Sequence, residues 1–152
     1  MSSDKENMRI ALAEALQAYI EKEVPIGAVL VDNESGILVC KNHNRIEQLN
    51  DATAHAEILV LREGFKKLKR RRLENCTLYV TVEPCAMCAG ALVLSRVERL
   101  VYGVYDSKFG AAESIFNVVN NPALNHRLKV TAGILESECR ELLQKFFNEL
   151  RQ

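Results

Sequence analysis

The chain has 152 residues, of which 48% are hydrophobic and 26% charged. That fits one globular domain (1–152) with a core of its own, and no apolar run approaches the roughly 20 residues needed to span a bilayer. Twenty basic residues balance twenty acidic ones, so the bulk charge gives no support for a nucleic-acid binder, and five cysteines behind a polar N-terminus without a signal-peptide core argue against a disulfide framework and for a cytoplasmic protein.

Along the chain, Met8, Leu12, Ala15, Leu16, Tyr19 and Ile20 recur at helical spacing, and Pro25 closes that helix. Ile26 to Val31 and Ile37 to Cys40 flank the turn Asp32-Asn33-Glu34-Ser35-Gly36 and read as a hairpin. A polar loop from Asn42 to Asn50 leads to a helix starting near Asp51 or Thr53, either of which suits a cap, and running through Leu68. Its end merges into a dense basic run, Lys66, Lys67, Lys69, Arg70, Arg71 and Arg72, which reads equally as a solvated helix end. Leu78 to Val82 is β-rich, and Pro84 opens a helix from Cys85 to near Ser95. Strands over Leu100–Tyr105 and Leu128–Ile134 and an amphipathic helix over Ser137–Leu150 complete the chain. Alternating elements of this kind predict an α/β protein whose covered sheet contains parallel pairs on right-handed crossovers.

Two short motifs carry chemistry. Cys85 and Cys88 are three residues apart at a helix start, which puts both sulfurs on one face where the helix dipole favours thiolate. His55 would supply one imidazole to the same zinc ion. Three protein ligands with an open fourth position make the pattern of a catalytic zinc site, while a structural site is closed by four. Cys40, Cys76 and Cys139 stand alone, so no fourth ligand is evident. Glu57, two residues beyond His55, reaches the open position as a proton shuttle rather than as a ligand. A lone Cys-x-x-Cys also suits a thioredoxin-like redox pair, but Pro84 directly before the first cysteine does not.

Three stretches carry a family resemblance: Val24-Pro25-Ile26-Gly27-Ala28-Val29, Asn50 through Glu57, and Leu78 through Ala91 with Glu83-Pro84-Cys85-Ala86-Met87-Cys88 at its centre. Asn125-His126-Arg127 and Phe146-Phe147 are shared more narrowly. From Met8 to Phe147 the chain resembles the bacterial tRNA-specific adenosine deaminases, a CMP/dCMP-type deaminase domain of the cytidine-deaminase-like superfamily. The resemblance implies a three-layer α/β/α fold on a mixed five-stranded sheet, one zinc ion per subunit on His55, Cys85 and Cys88, and a homodimer. It implies hydrolysis of the wobble adenosine of a tRNA anticodon stem-loop to inosine, zinc-bound hydroxide attacking C6 of adenine while Glu57 shuttles protons. Substrate-binding roles carry over to Asn44 and Ala54 around the flipped base, and to Asp106 and Lys108 near the nucleotide backbone. Phe146 and Phe147 would flank a neighbouring nucleotide, with core packing the competing role for at least one of them. His126 and Arg127 are RNA-contact candidates, a structural histidine being the other reading.

The chain departs from the family at its end. Relatives often carry several arginines after the phenylalanine pair, where this chain reads Asn148-Glu149-Leu150-Arg151-Gln152. The run from Lys66 to Arg72 is unusually basic in turn and is expected to carry part of the RNA attraction instead. Three alternatives stay open at this point: a free-base or nucleotide deaminase for guanine, cytosine or dCMP with the same zinc site, a non-catalytic zinc subunit, and a redox protein.

Overall fold

The computed structural model describes residues 3–151. The elements run α1 (Asp4–Ile20), β1 (Gly27–Asp32), β2 (Leu38–His43), α2 (Ile46–Leu49), α3 (Ala56–Leu68), β3 (Cys76–Val82), α4 (Ala86–Leu94), β4 (Arg99–Val104), β5 (Lys129–Thr131) and α5 (Glu136–Leu150). The five strands form one sheet in the order β2-β1-β3-β4-β5. β1 is antiparallel to both β2 and β3, while β3, β4 and β5 run parallel. The mixed sheet expected from the sequence is present.

Side-chain alternation makes the sheet the middle of three layers. Ala28, Leu30, Leu78, Val80, Leu100 and Tyr102 meet Val60 and Leu61 of α3 and Ala89, Leu92 and Val93 of α4 on one face. Val29, Val31, Tyr79 and Val101 meet Met8 and Ala11 of α1 and Cys139 of α5 on the other. Every residue of β3 is buried, as a central strand covered on both faces requires. Gly27 lets α1 lie directly on β1, since a Cβ there would come within 2.0 Å of the Ala11 carbonyl oxygen.

Several boundaries differ from the sequence reading. α1 ends at Ile20, so Pro25 marks the entry to β1 and not the helix end. β2 continues to His43. The polar loop contains α2, a single turn whose first N–H groups, from Glu47 and Gln48, donate to the buried Glu23 carboxylate. α3 begins at Ala56, later than expected: Asp51 accepts from the Thr53 N–H and hydroxyl within its own turn and does not cap the helix. β5 covers only Lys129–Thr131 of the expected Leu128–Ile134, and the segment from Tyr105 to Leu128 crosses as irregular chain.

α1 is tied to the sheet by charge as well as by packing. Arg99 on β4 grips Asp4 with two bonds of 2.8 and 2.7 Å, and the Tyr79 hydroxyl donates to the same carboxylate at 2.8 Å. The Arg99 bonds, above all, hold the Asp4 carboxyl below its ordinary value despite partial burial. A depressed folded value contributes stability above the unfolded value of about 3.9 and loses it as pH falls through the folded one. Asp4→Asn is therefore expected to cost about 1–3 kcal/mol in urea unfolding at pH 7, with the deficit shrinking below about pH 4. A deficit independent of pH would show that the charge plays no part.

Candidate active site

The parallel strands end on one side of the molecule, and two helices begin there. His55 is the N-cap residue of α3 and Cys85 that of α4, and neither caps its helix with its own side chain. Both are in extended backbone, which turns their side chains out of the helices and toward each other. The cap of α3 comes from elsewhere: Oδ1 of buried Asn44 accepts the Ala56 N–H at 2.8 Å, and Ala54 fixes the approach by accepting the Arg45 N–H at 3.1 Å. Both residues, expected to touch substrate, thus also build the turn that aims His55.

The sulfurs of Cys85 and Cys88 lie 3.7 and 3.5 Å from Nδ1 of His55, and the three donor atoms fall within 4.8 Å of one another. Zinc bonds of about 2.3 Å to sulfur and 2.0–2.1 Å to nitrogen, at tetrahedral angles, separate sulfur from nitrogen by about 3.6 Å. The donor set and its spacing therefore fit one zinc ion.

Electrostatics point the same way. Cys85 drops to about 4, first because the Cys88 thiol donates to it and next because of His55. Cys88 is pushed up by that same bond and by burial. The pair by itself thus keeps one proton, which a cation between the sulfurs would displace. The Cys85 bond holds His55 above its ordinary value. The remaining cysteines behave as core: burial pushes Cys40 and Cys139 up to about 12.

Glu57, in the first turn of α3, is buried against this cluster. Among the described residues its Oε1 is the one buried side-chain polar atom without a hydrogen-bond partner. Burial raises its carboxyl to about 7. A buried acceptor left unpaired is costly unless something outside the chain satisfies it.

At the same end of the sheet, past Val82 of β3, Asp106, Lys108 and Phe147 line a cavity of about 430 Å³ with Tyr105, Phe109 and Arg151. Phe147 is 41% exposed and faces this space, while Phe146 is buried edge-on against Tyr19 with centroids 6.5 Å apart. Asp106 organises the loop by accepting the N–H groups of Lys108 and Phe109 at 3.0 and 3.1 Å. His126 and Arg127 are not brought here. They precede β5 and so lie at the opposite end of the parallel strands, where His126 Nε2 meets the Val97 carbonyl oxygen at 2.8 Å and Arg127 donates to Asn120 at 2.8 Å. The basic run divides: Lys66 and Lys67 end α3, and Arg70–Arg72 follow in the loop.

The sequence reading gave no role to Glu83. Buried between β3 and Pro84, its carboxylate accepts the N–H groups of Asp106, Ala112, Glu113 and Ser114 at 2.7–3.1 Å, and the Ser114 hydroxyl as well. Burial opposes the charge, but these donors outweigh it and the carboxyl sits below its ordinary value. Gly110 packs so closely that a Cβ would lie 2.5 Å from the carboxyl carbon. The signal in the sequence was an acidic residue closing an apolar strand directly before Pro84-Cys85. Glu83→Gln is expected to lose about 2–3 kcal/mol in urea unfolding, since one neutral oxygen replaces half of a charged acceptor. A loss below about 0.5 kcal/mol would mean that the loop holds itself.

Fold and cluster together define a cytidine-deaminase-like deaminase. The chain matches the MafB19-like deaminase family over residues 2–151. It is 47% identical over 152 residues to the tRNA-specific adenosine deaminase of Bacillus subtilis, covering all of this chain and 93% of that one. Its structure superposes with a TM-score of 0.86 at 46% identity on a tRNA:A34 deaminase solved in a study of A-to-I editing at the wobble position, covering 91% of this chain and 99% of that one. The guanine deaminase of Nitrosomonas europaea shares the fold at a TM-score of 0.84 but only 25% identity, covering 96% and 85%. The chain belongs to the tRNA-specific adenosine deaminase family.

Proposed function

We propose that this chain is a single deaminase domain that hydrolyses the wobble adenosine of a tRNA anticodon loop to inosine and ammonia, with zinc held by His55, Cys85 and Cys88. The observation that carries the reading is the unpaired Oε1 of buried Glu57 beside three donors at tetrahedral zinc spacing. Identity of 46–47% to tRNA deaminases against 25% to a guanine deaminase supports adenosine in tRNA over a free base.

Zinc, when bound, supplies the Lewis acidity that makes hydroxide available at neutral pH. Glu57 takes the proton released by the attacking water and delivers it to N1 of the adenine as C6 is attacked, then takes the proton of the new C6 hydroxyl and passes it to the departing amine, which leaves as ammonia. A carboxyl near 7 suits a group that must accept and return a proton at neutral pH. Asn44, its Oδ1 committed to Ala56, offers its amide N–H₂ to the base, and the small Ala54 admits the base to the cluster. Asp106, Lys108 and Phe147 hold the nucleotide around the cavity. A base from a single-stranded loop enters such a pocket at lower cost than one from a duplex.

A homodimer is part of the same reading. α4 exposes Met87 and Leu94 seven residues apart on one face, Leu94 being 82% exposed, which a second copy would cover. No helix among the described residues is long and apolar enough to cross a membrane, in keeping with a cytoplasmic RNA enzyme. Leu94→Glu is expected to move the protein from dimer to monomer in analytical ultracentrifugation, and an unshifted dimer would assign the contact elsewhere.

The reading is tested by incubating zinc-loaded protein with an anticodon stem-loop bearing a wobble adenosine, and separately with guanine, cytosine and dCMP. Inosine at the wobble site is expected. Release of ammonia from a free base or nucleotide and not from the RNA would overturn the substrate. Glu57→Ala is expected to keep one zinc per chain and lose at least about 10²–10⁴ in turnover. Near-normal turnover would remove Glu57 from proton transfer.

A further inference from the structure

The chain carries no net charge, yet its charge is not evenly spread. At the end of the sheet away from the His55 cluster, Arg72, Arg96, Arg127 and Lys129 line a groove of about 540 Å³ with only Glu74 and Glu98 opposing them. Arg70 and Arg71 border an adjoining hollow that shares Arg72 and Glu74 with it. Four sequence segments meet here: the loop after α3, the turn after α4, the loop before β5, and β5 itself. Arg96 is steadied by donating to the Asn125 carbonyl and side-chain oxygens, and Arg127 by donating to Asn120. Both therefore present pre-ordered guanidinium edges.

A second cavity, of about 660 Å³, runs from this groove along the edge strand β5 toward the catalytic end. Lys129 lines both; Asn120, the partner of Arg127, and Asn117 continue the wall, and Ala112 and Glu113 complete it, the Glu113 carboxylate being engaged by the Tyr102 hydroxyl. Ala112 belongs to the loop that Glu83 fastens beside Cys85. A basic groove therefore adjoins a polar trough whose wall at Ala112 is fastened to Glu83, two residues before Cys85.

We propose that this groove and trough hold the phosphate backbone of the substrate tRNA outside its anticodon loop, the loop itself entering at the zinc end. The inference rests on the tRNA reading of the site. Guanidinium groups fixed in a groove suit phosphodiester oxygens, which they engage in pairs. β4 separates the two ends by six residues, about 20 Å. An RNA that touches both must carry stem beyond the loop, so full-length tRNA engages the groove and the isolated loop oligonucleotide does not.

The test is the salt dependence of binding, measured by fluorescence anisotropy with full-length tRNA and with the isolated loop oligonucleotide. Wild-type protein is expected to bind full-length tRNA with the steeper slope. Lys129→Gln, whose exposed side chain has no hydrogen-bond partner to lose, should flatten that slope by about one unit, and Arg72→Gln combined with it by about two. Affinity for full-length tRNA should fall about tenfold or more. Lys129→Arg with Arg72→Lys should restore both quantities, and neutralising Lys5 and Lys22 on and just after α1 should leave the slope in place. Equal slopes for wild type and the double variant would overturn the proposal even if inosine is formed. Flattened slopes with no inosine from wild-type protein would leave the groove standing and remove the wobble reaction.

Discussion

Two helix N-termini converge at the C-terminal edge of β3, and the rest of the site depends on that convergence. Each brings a partial positive charge and unpaired backbone N–H groups to the same few ångströms. Such a place favours anions: a thiolate at Cys85, and a second one at Cys88 once a cation arrives. The same field would repel zinc if the ligands were neutral. The dipoles and the sulfurs therefore act together, the first promoting the charge that the second lends to the metal.

Holding two helix starts face to face requires support from behind, and the chain supplies it with buried polar groups. Asn44 caps α3 from the end of β2, so that His55 is free to turn toward the cysteines. Glu23 receives the first N–H groups of α2 and closes the loop that leads there. Glu83 fastens the loop carrying Asp106 and Lys108 to the turn carrying Cys85. Each carboxylate or amide is satisfied by backbone donors. Glu57 is the exception, which is why the unmet oxygen stands out as chemistry and not as a packing defect.

What the sequence made legible was local or periodic. The apolar runs of β1, β3 and β4 and the three-residue spacing of Cys85 and Cys88 each follow from the geometry of a single element, and they led to a covered sheet and to the grouping with His55, while the three layers and five strands came with the family resemblance. What stayed hidden depends on contacts across the chain. Asn44 and Ala56 are twelve residues apart, and nothing local said that Asn44 would cap α3 in place of Asp51. Glu83 draws its donors from a loop more than twenty residues onward. His126 and Arg127 were RNA-contact candidates with no place assigned, and the parallel direction of β4 and β5 puts them at the end away from Asp106 and Phe147. There they join the basic run from a distant segment, an assembly that the balanced total charge concealed.

His55, Cys85 and Cys88 are proposed to hold zinc in an open site with two sulfur ligands, one imidazole and one position left for a small oxygen donor. Zinc-edge X-ray absorption on the purified, zinc-loaded protein tests it most directly. Two sulfur scatterers at about 2.3 Å and two nitrogen or oxygen scatterers at about 2.0–2.1 Å, with one imidazole pattern, are expected. A third or fourth sulfur, or a shell of oxygen alone, would contradict it.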